Sequence, residues 1–84
     1  MKRYDKAISD FDIAIRLNNS CGLGYMGKAD CFRFMSEFTK AISLYTEALD
    51  KEEVIAKVAI LKRAITYIEA KQYDQAKSDL QKVL

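Results

Sequence analysis

The sequence predicts an all-α protein of five helices that pack as antiparallel hairpins, and two observations support this fold class. The first is that large and small residues recur at helical spacing in two adjacent stretches. These stretches read Tyr25-x-x-Lys28-Ala29-x-x-Phe32 and Ala41-x-x-x-Tyr45-x-x-Ala48. Aromatic side chains of one helix then lie beside small residues of the next, so the two backbones can approach closely.

The second observation is that both patterns recur at a nearly constant interval. One pattern returns as Ala7-x-x-x-Phe11-x-x-Ala14, 34 residues earlier (41 minus 7), and as Ala76-x-x-x-Leu80-x-x-Val83, 35 residues later (76 minus 41). The other returns as Ile60-x-x-Arg63-Ala64-x-x-Tyr67, again 35 residues later (64 minus 29). A period of this length is typical of a helical repeat array.

These recurring positions resemble the tetratricopeptide repeat (TPR) family over nearly the whole chain. The resemblance implies one domain, 1–84, in which the helix hairpins stack as a right-handed α-solenoid. Its parts are the second helix of a partial repeat (4–19), a full repeat (22–53) and a further repeat (54–84). The chain departs from the family at Lys28 and Arg63, where an aliphatic residue is preferred, and it has no proline to close a repeat.

The first three helices are predicted from apolar stripes at the spacing of an amphipathic helix. The first, about 4–17, carries Tyr4, Ala7, Ile8, Phe11, Ala14 and Ile15. The second, about 22–35, carries Leu23, Tyr25, Met26, Ala29, Phe32 and Phe34. The third, about 38–50, carries Phe38, Ala41, Ile42, Tyr45, Ala48 and Leu49. A turn is predicted at 18–20, because the side chains of asparagine and serine compete for backbone hydrogen bonds. A tight turn is also predicted at Ser36-Glu37.

The last two helices are predicted on either side of Lys71-Gln72, after a break at 50–53. The fourth, about 54–70, is apolar over more than one stripe and is expected to be covered on more than one side. The fifth, 73–84, directs one set of residues inward and charged residues outward. The inward set is Tyr73, Ala76, Leu80 and Val83, and the outward set is Asp74, Lys77, Asp79 and Lys82.

Gly22, Gly24 and Gly27 spell a Gly-x-Gly-x-x-Gly motif at the start of the second helix. That motif binds a pyrophosphate when a strand precedes it, whereas helices precede it here. We interpret the glycines as a loose helix start, or as room for a neighbouring backbone or a bound peptide.

Composition and charge exclude several classes of function. The net charge is only +2 over 84 residues, and both signs are interspersed, which argues against nucleic acid and anionic membranes as partners. The chain has no histidine and no nucleophile with a base at helical spacing, so no enzyme activity, metal or cofactor is predicted. Cys21 and Cys31 would lie about 15 Å apart on a helix, too far for a disulfide. Free thiols and the missing signal sequence predict a cytoplasmic protein.

The resemblance implies a protein-binding scaffold whose concave groove is lined by the first helix of each repeat. The implied groove residues are Leu23, Met26, Gly27, Asp30, Arg33 and Phe34, followed by Val58, Leu61, Lys62, Ile65 and Glu69. One branch of the family clamps the carboxylate tail of heat-shock chaperones with basic residues. Met26 and Asp30 stand in this chain where that clamp needs a lysine and an asparagine, which disfavours a chaperone tail. An apolar partner segment is expected instead, held by Leu23, Met26, Val58, Leu61, Ile65 and Ile68. The alternative is that these residues only pack within the array or against a helix upstream.

The ends of the array lead to an alternative function. Repeat arrays bury their apolar faces against neighbours and need caps at both ends. The sequence shows neither a helix packed before the first nor a polar helix after the last. We therefore expect either a longer array or a homo-oligomer, and the alternative to a partner-binding scaffold is a repeat that assembles with itself.

Overall fold

The computed structural model describes residues 2–18, 21–51 and 53–83. The helices are α1 (Lys2–Leu17), α2 (Gly22–Phe34), α3 (Phe38–Leu49), α4 (Glu53–Glu69) and α5 (Tyr73–Val83). The prediction of five helices is confirmed, and the described residues contain no strand. Parts of the predicted turn at 18–20 and of the break at 50–53 (residues 19, 20 and 52), and the last predicted helical residue, 84, lie outside the described residues.

The helices pack in the order of the sequence. Each helix contacts its neighbours in the chain, α2 also contacts α4, and the described parts of α1 and α5 do not touch. This arrangement is that of a helical repeat array and not of a closed bundle. The right-handed sense of the array stays a prediction.

The core lies where α2, α3 and α4 meet. Tyr45 on α3 is fully buried, and so are Ala41 and Ala48 on either side of it. Around them pack Met26 and Ala29 from α2 and Ile55 and Ala59 from α4. Small residues at these positions let the helices approach until the aromatic ring fills the space between them. The predicted interlocking of large and small residues is therefore the packing observed.

Two equivalent turns close the hairpins. Ser36 and Lys71, 35 residues apart (71 minus 36), have positive φ angles of 62° and 65°. After α2, the amides of residues 36 and 37 donate to the carbonyls of 33 and 32. After α4, the amides of 71 and 72 donate to those of 68 and 67. This pair of bonds is the Schellman motif, in which glycine is usual at the left-handed position.

The glycines of α2 are explained by close packing, with Gly22 against Ile55 of α4 and with Gly24 and Gly27 against α1. A Cβ atom on Gly27 would overlap the ring of Phe11, and one on Gly24 would lie 3.0 Å from Cγ1 of Ile15. The room expected beside these glycines is therefore filled by side chains of α1. The motif at 22–27 is a packing feature, since overlap in a packed interface is costly.

Candidate functional site

Arg63 forms the most buried ion pair in the described part of the chain. Its Nε and Nη2 atoms donate to the two carboxylate oxygens of Asp79 on α5 at 2.8 and 2.7 Å, and Nη1 donates to the hydroxyl of Thr46 on α3 at 3.0 Å. The hydrogen bonds to Asp79 raise the pKa of Arg63 against the opposing effect of burial. One guanidinium therefore joins α3, α4 and α5.

The expectation that Asp79 lies on the outer side of α5 was wrong. Only 2 % of the residue is exposed, because it accepts both hydrogen bonds from Arg63. Lys28, the equivalent of Arg63 in the preceding repeat, makes a more exposed pair with Asp12 on α1 at 2.6 Å. The two departures from the family pattern are thus explained by ion pairs between helices.

A polar network connects α2, α3 and α4. The buried hydroxyl of Tyr45 donates to the carboxylate of Asp30, which also pairs with Nζ of Lys62 at 2.8 Å. Arg33 donates from Nε to the hydroxyl oxygen of Tyr45 at 3.4 Å and from Nη1 to Glu69 at 3.1 Å. Burial, followed by the bond to Asp30, raises the pKa of Tyr45. The network therefore fixes α4 against α2.

One face of α4 carries exposed apolar side chains along its whole length. Its residues alternate in spacing between four and three, which places them on a single face of the helix. We call this face the α4 stripe: Val54, Val58, Leu61, Ile65 and Ile68. The exposed fraction of its residues ranges from 41 % at Ile65 to 85 % at Val54. The helix that was expected to be covered on more than one side is uncovered on this one.

The C-terminal end of the α4 stripe opens into a cleft between α4 and α5. We call it the α4–α5 cleft, and it has a volume of about 450 Å³. Its lining residues are Ile68, Tyr73, Ala76, Lys77, Leu80 and Gln81. The stripe and the cleft share Ile68, so they form one continuous apolar surface.

Residues 58–84 match the family model described as Tetratricopeptide repeat. This segment is a tetratricopeptide repeat. The match supports the TPR assignment that the residue pattern predicts, and it covers most of α4 and all of α5. No curated protein and no solved structure matches the chain. A TPR repeat suggests a protein-interaction scaffold in general terms, in a family whose repeats are not catalytic.

The residues implied for the TPR groove fall into three groups in this structure. Asp30, Arg33, Lys62 and Glu69 pair with one another across α2 and α4. Met26 is buried in the core, and Gly27 packs on Phe11 of α1. Leu23, Phe34, Val58, Leu61 and Ile65 are exposed. Phe34 stacks on Tyr4 of α1, with ring centroids 6.3 Å apart. Leu23 and Phe34 lie on α2, so Val58, Leu61 and Ile65 are the implied groove residues that belong to the α4 stripe.

Sequence reasoning placed Ile68 in the apolar groove but missed the α4–α5 cleft and the ion pairs between helices. The meeting of Ile68 and Leu80 in one cleft depends on how α5 folds back on α4. The buried pair did leave a signal, because Arg63 and Asp79 each interrupt an apolar face.

The described residues contain no group of three or more His, Cys, Asp or Glu side chains placed to hold a metal ion. None of the described helices is long and apolar enough to span a membrane. Cys21 and Cys31 are free thiols, and burial raises the pKa of Cys31, which keeps it protonated.

Proposed function

We propose that this TPR chain is a protein-interaction module that holds an apolar segment of a partner on the α4 stripe. The observation that supports the proposal is the exposure of all five apolar side chains of the stripe, between 41 % and 85 %. Contiguous apolar surface of this kind on a folded protein usually marks an interaction site.

The charges beside the stripe also favour an apolar partner segment. Lys62 and Glu69 are engaged with Asp30 and Arg33 on α2. A partner that took up these charges would first have to break pairs that hold α4 in place. Binding through the stripe should therefore depend on buried apolar area and only weakly on salt concentration.

The test replaces two residues of the stripe and compares them with a matched pair elsewhere. Leu61→Ser with Ile65→Ser should abolish capture of the partner protein from an extract of the source cells, while circular dichroism stays helical. Ile13→Ser with Leu17→Ser makes the same chemical change at exposed residues of α1 and should leave capture unchanged.

Two outcomes would contradict the proposal. Equal capture by both double variants would mean that the stripe does not bind the partner. Loss of helical circular dichroism in the stripe variant alone would mean that Leu61 and Ile65 are required for folding, as core residues are.

Assembly of the chain with itself is the alternative use of the same surface. It would show in sedimentation as a mass that rises with protein concentration and falls to that of a monomer when Leu61 and Ile65 are replaced. A monomer at all concentrations would leave the partner-binding scaffold as the proposed function.

A further inference from the structure

The contact between α2 and α4 differs at the two ends of these helices. Near their N-terminal ends, a Cβ atom on Gly22 would lie 3.3 Å from both γ carbons of Ile55, so the two helices are closely packed there. Beyond their C-terminal ends, a cavity of about 550 Å³ lies between the turn after α2 and the turn after α4. We call it the turn cavity, and residues 36–40 and 69–72 line it. The contact therefore ends in unfilled space on one side only.

Two ion pairs connect the C-terminal halves of α2 and α4. Nζ of Lys62 lies 2.8 Å from a carboxylate oxygen of Asp30, and Nη1 of Arg33 lies 3.1 Å from one of Glu69. We call these four residues the α2–α4 bridge. Glu69 also lines the turn cavity, so one of the two pairs lies at the edge of the unfilled space.

The side chains of the α2–α4 bridge are partly exposed to water. Their exposed fractions range from 18 % at Arg33 to 41 % at Glu69. Dissolved salt screens the attraction between exposed charges, and it screens buried pairs much less. Both ion pairs of the bridge should therefore weaken as the ionic strength rises.

The contacts within each hairpin are more buried than the bridge. Arg63 of α4 and Asp79 of α5 have side chains that are only 10 % and 3 % exposed. In the other hairpin, the fully buried Tyr45 of α3 donates a hydrogen bond to Asp30 of α2. Between the hairpins, α3 and α4 share an apolar core, in which no charge is available for salt to screen. High salt should therefore weaken the bridge while the hairpins and the core persist.

We infer that the α2–α4 bridge is a salt-sensitive conformational switch that holds the C-terminal ends of α2 and α4 at a fixed separation. When its ion pairs are broken, the two hairpins turn relative to one another about the close contact of Gly22 with Ile55. The turn cavity gives room for this movement, because it is unfilled. The inference goes beyond the proposed function and does not rest on it, since the movement takes place within the chain alone.

The test measures the distance between two spin labels by electron paramagnetic resonance. One labelled chain carries cysteines at Phe34 and Ile68, which are exposed residues near the C-terminal ends of α2 and α4. The other carries them at Leu23 and Val58, which are exposed residues in the N-terminal halves of the same helices.

The native thiols must be removed from both labelled chains. Cys21→Ser and Cys31→Ala serve this purpose, and circular dichroism checks that each chain stays helical.

Salt should affect the two labelled chains differently. Between low salt and 1 M sodium chloride, where screening acts over only about 3 Å, the distance distribution of the C-terminal labels should broaden about twofold. That of the N-terminal labels should stay unchanged, because the apolar contact beside them persists. An unchanged C-terminal distribution, or equal broadening at both ends, would overturn the inference.

A variant of the bridge should produce the same change without salt. Lys62→Met with Glu69→Gln removes the charges that α4 contributes and leaves the bond between Tyr45 and Asp30 in place. At low salt its C-terminal labels should already show the broad distribution, and added salt should change it no further.

The matched control removes an ion pair that also lines the turn cavity but lies outside the bridge. Lys40→Met with Glu37→Gln abolishes an exposed pair of 3.5 Å within one hairpin. This variant should keep the narrow distribution at low salt and the broadening at high salt. Equal distributions for the two double variants at low salt would overturn the inference, and the salt series on the unaltered bridge decides it if the bridge variant fails to fold.

Discussion

The surface formed by α2 and α3 and the surface formed by α4 and α5 use equivalent positions in opposite ways. The first carries Asp30, Arg33 and Tyr45, and their polar groups are bonded to α4 or to one another. The second carries Ile65, Ile68 and Leu80 and is open. The difference indicates that charged groups and a hydroxyl group fix the register of helices within this chain. Apolar groups occupy the same positions on the surface of α4 and α5, which no described helix covers.

The comparison extends to the ion pairs that hold each repeat. Lys28 and Arg63 occupy equivalent positions, but their side chains differ in exposure. The Lys28 pair is 24 % and 40 % exposed, and the Arg63 pair only 10 % and 3 %. Water screens the Lys28–Asp12 pair and is excluded from the Arg63–Asp79 pair. Removal of Arg63 should therefore lower the free energy of unfolding more than removal of Lys28.

The largest expected effect is that of Arg63→Ala. It leaves the buried Asp79 carboxylate without a hydrogen-bond donor and with only the exposed ammonium group of Lys82, 3.8 Å away. This loss should lower the free energy of unfolding by about 3–5 kcal/mol. Lys28→Ala should cost at most about 1 kcal/mol, because its pair with Asp12 is exposed. Urea unfolding followed by circular dichroism measures both changes.

The control for this prediction removes both charges of the buried pair. Arg63→Met with Asp79→Leu should recover most of the lost stability, because no unpaired charge remains. Equal losses for Arg63→Ala and Lys28→Ala would break the comparison, since they would mean that the two pairs are equally solvated.

The second expected effect is an alkaline loss of stability to which Tyr45 contributes. Its pKa in the folded protein is raised by burial and by the bond to Asp30, whereas the unfolded chain ionises near pH 10. The unfolded state therefore loses its proton first. The contribution of Tyr45 is fully present below about pH 10 and falls above it by at most about 1.4 kcal/mol per pH unit.

Urea unfolding at a series of pH values should show this fall in the native chain and a smaller fall in Tyr45→Phe. The residues equivalent to Tyr45 in the preceding and following repeats, Phe11 and Leu80, do not ionise. The alkaline loss of stability therefore reports on the surface covered by α4 and not on the two equivalent surfaces. Identical pH profiles for the native chain and Tyr45→Phe would contradict the prediction.

The smallest expected effect concerns the two turns, where the repeats are alike. Ser36 and Lys71 adopt the left-handed conformation, which costs a residue with a Cβ atom about 1–2 kcal/mol. Glycine removes that cost but gains freedom in the unfolded chain, worth about 0.5–1 kcal/mol. Ser36→Gly and Lys71→Gly should therefore each stabilise by about 0.5–1 kcal/mol in urea unfolding. A gain at only one turn would show that the two hairpins are not equivalent.

Much of the fold was predictable because its signals are local. The spacing of Ala41, Tyr45 and Ala48 sets one face of a helix, and the 35-residue interval repeats that face along the chain. The exposed part of the candidate site was predictable only in part. Val58, Leu61 and Ile65 follow from the family pattern, but whether an apolar residue is core or surface depends on which helix covers it. Met26 is buried for that reason, and Leu61, 35 positions later, is exposed.

The sequence by itself determined the helices, their order and their pairing as hairpins, since periodicity and turn residues act within a few positions of the chain. Only the tertiary structure decided which charges are buried and which apolar faces are open. Arg63 meets Asp79, and Lys62 meets Asp30, because packing brings together side chains from different helices. The solvent exposure of a side chain depends on how all the helices pack together, so the residue pattern of one helix does not determine it.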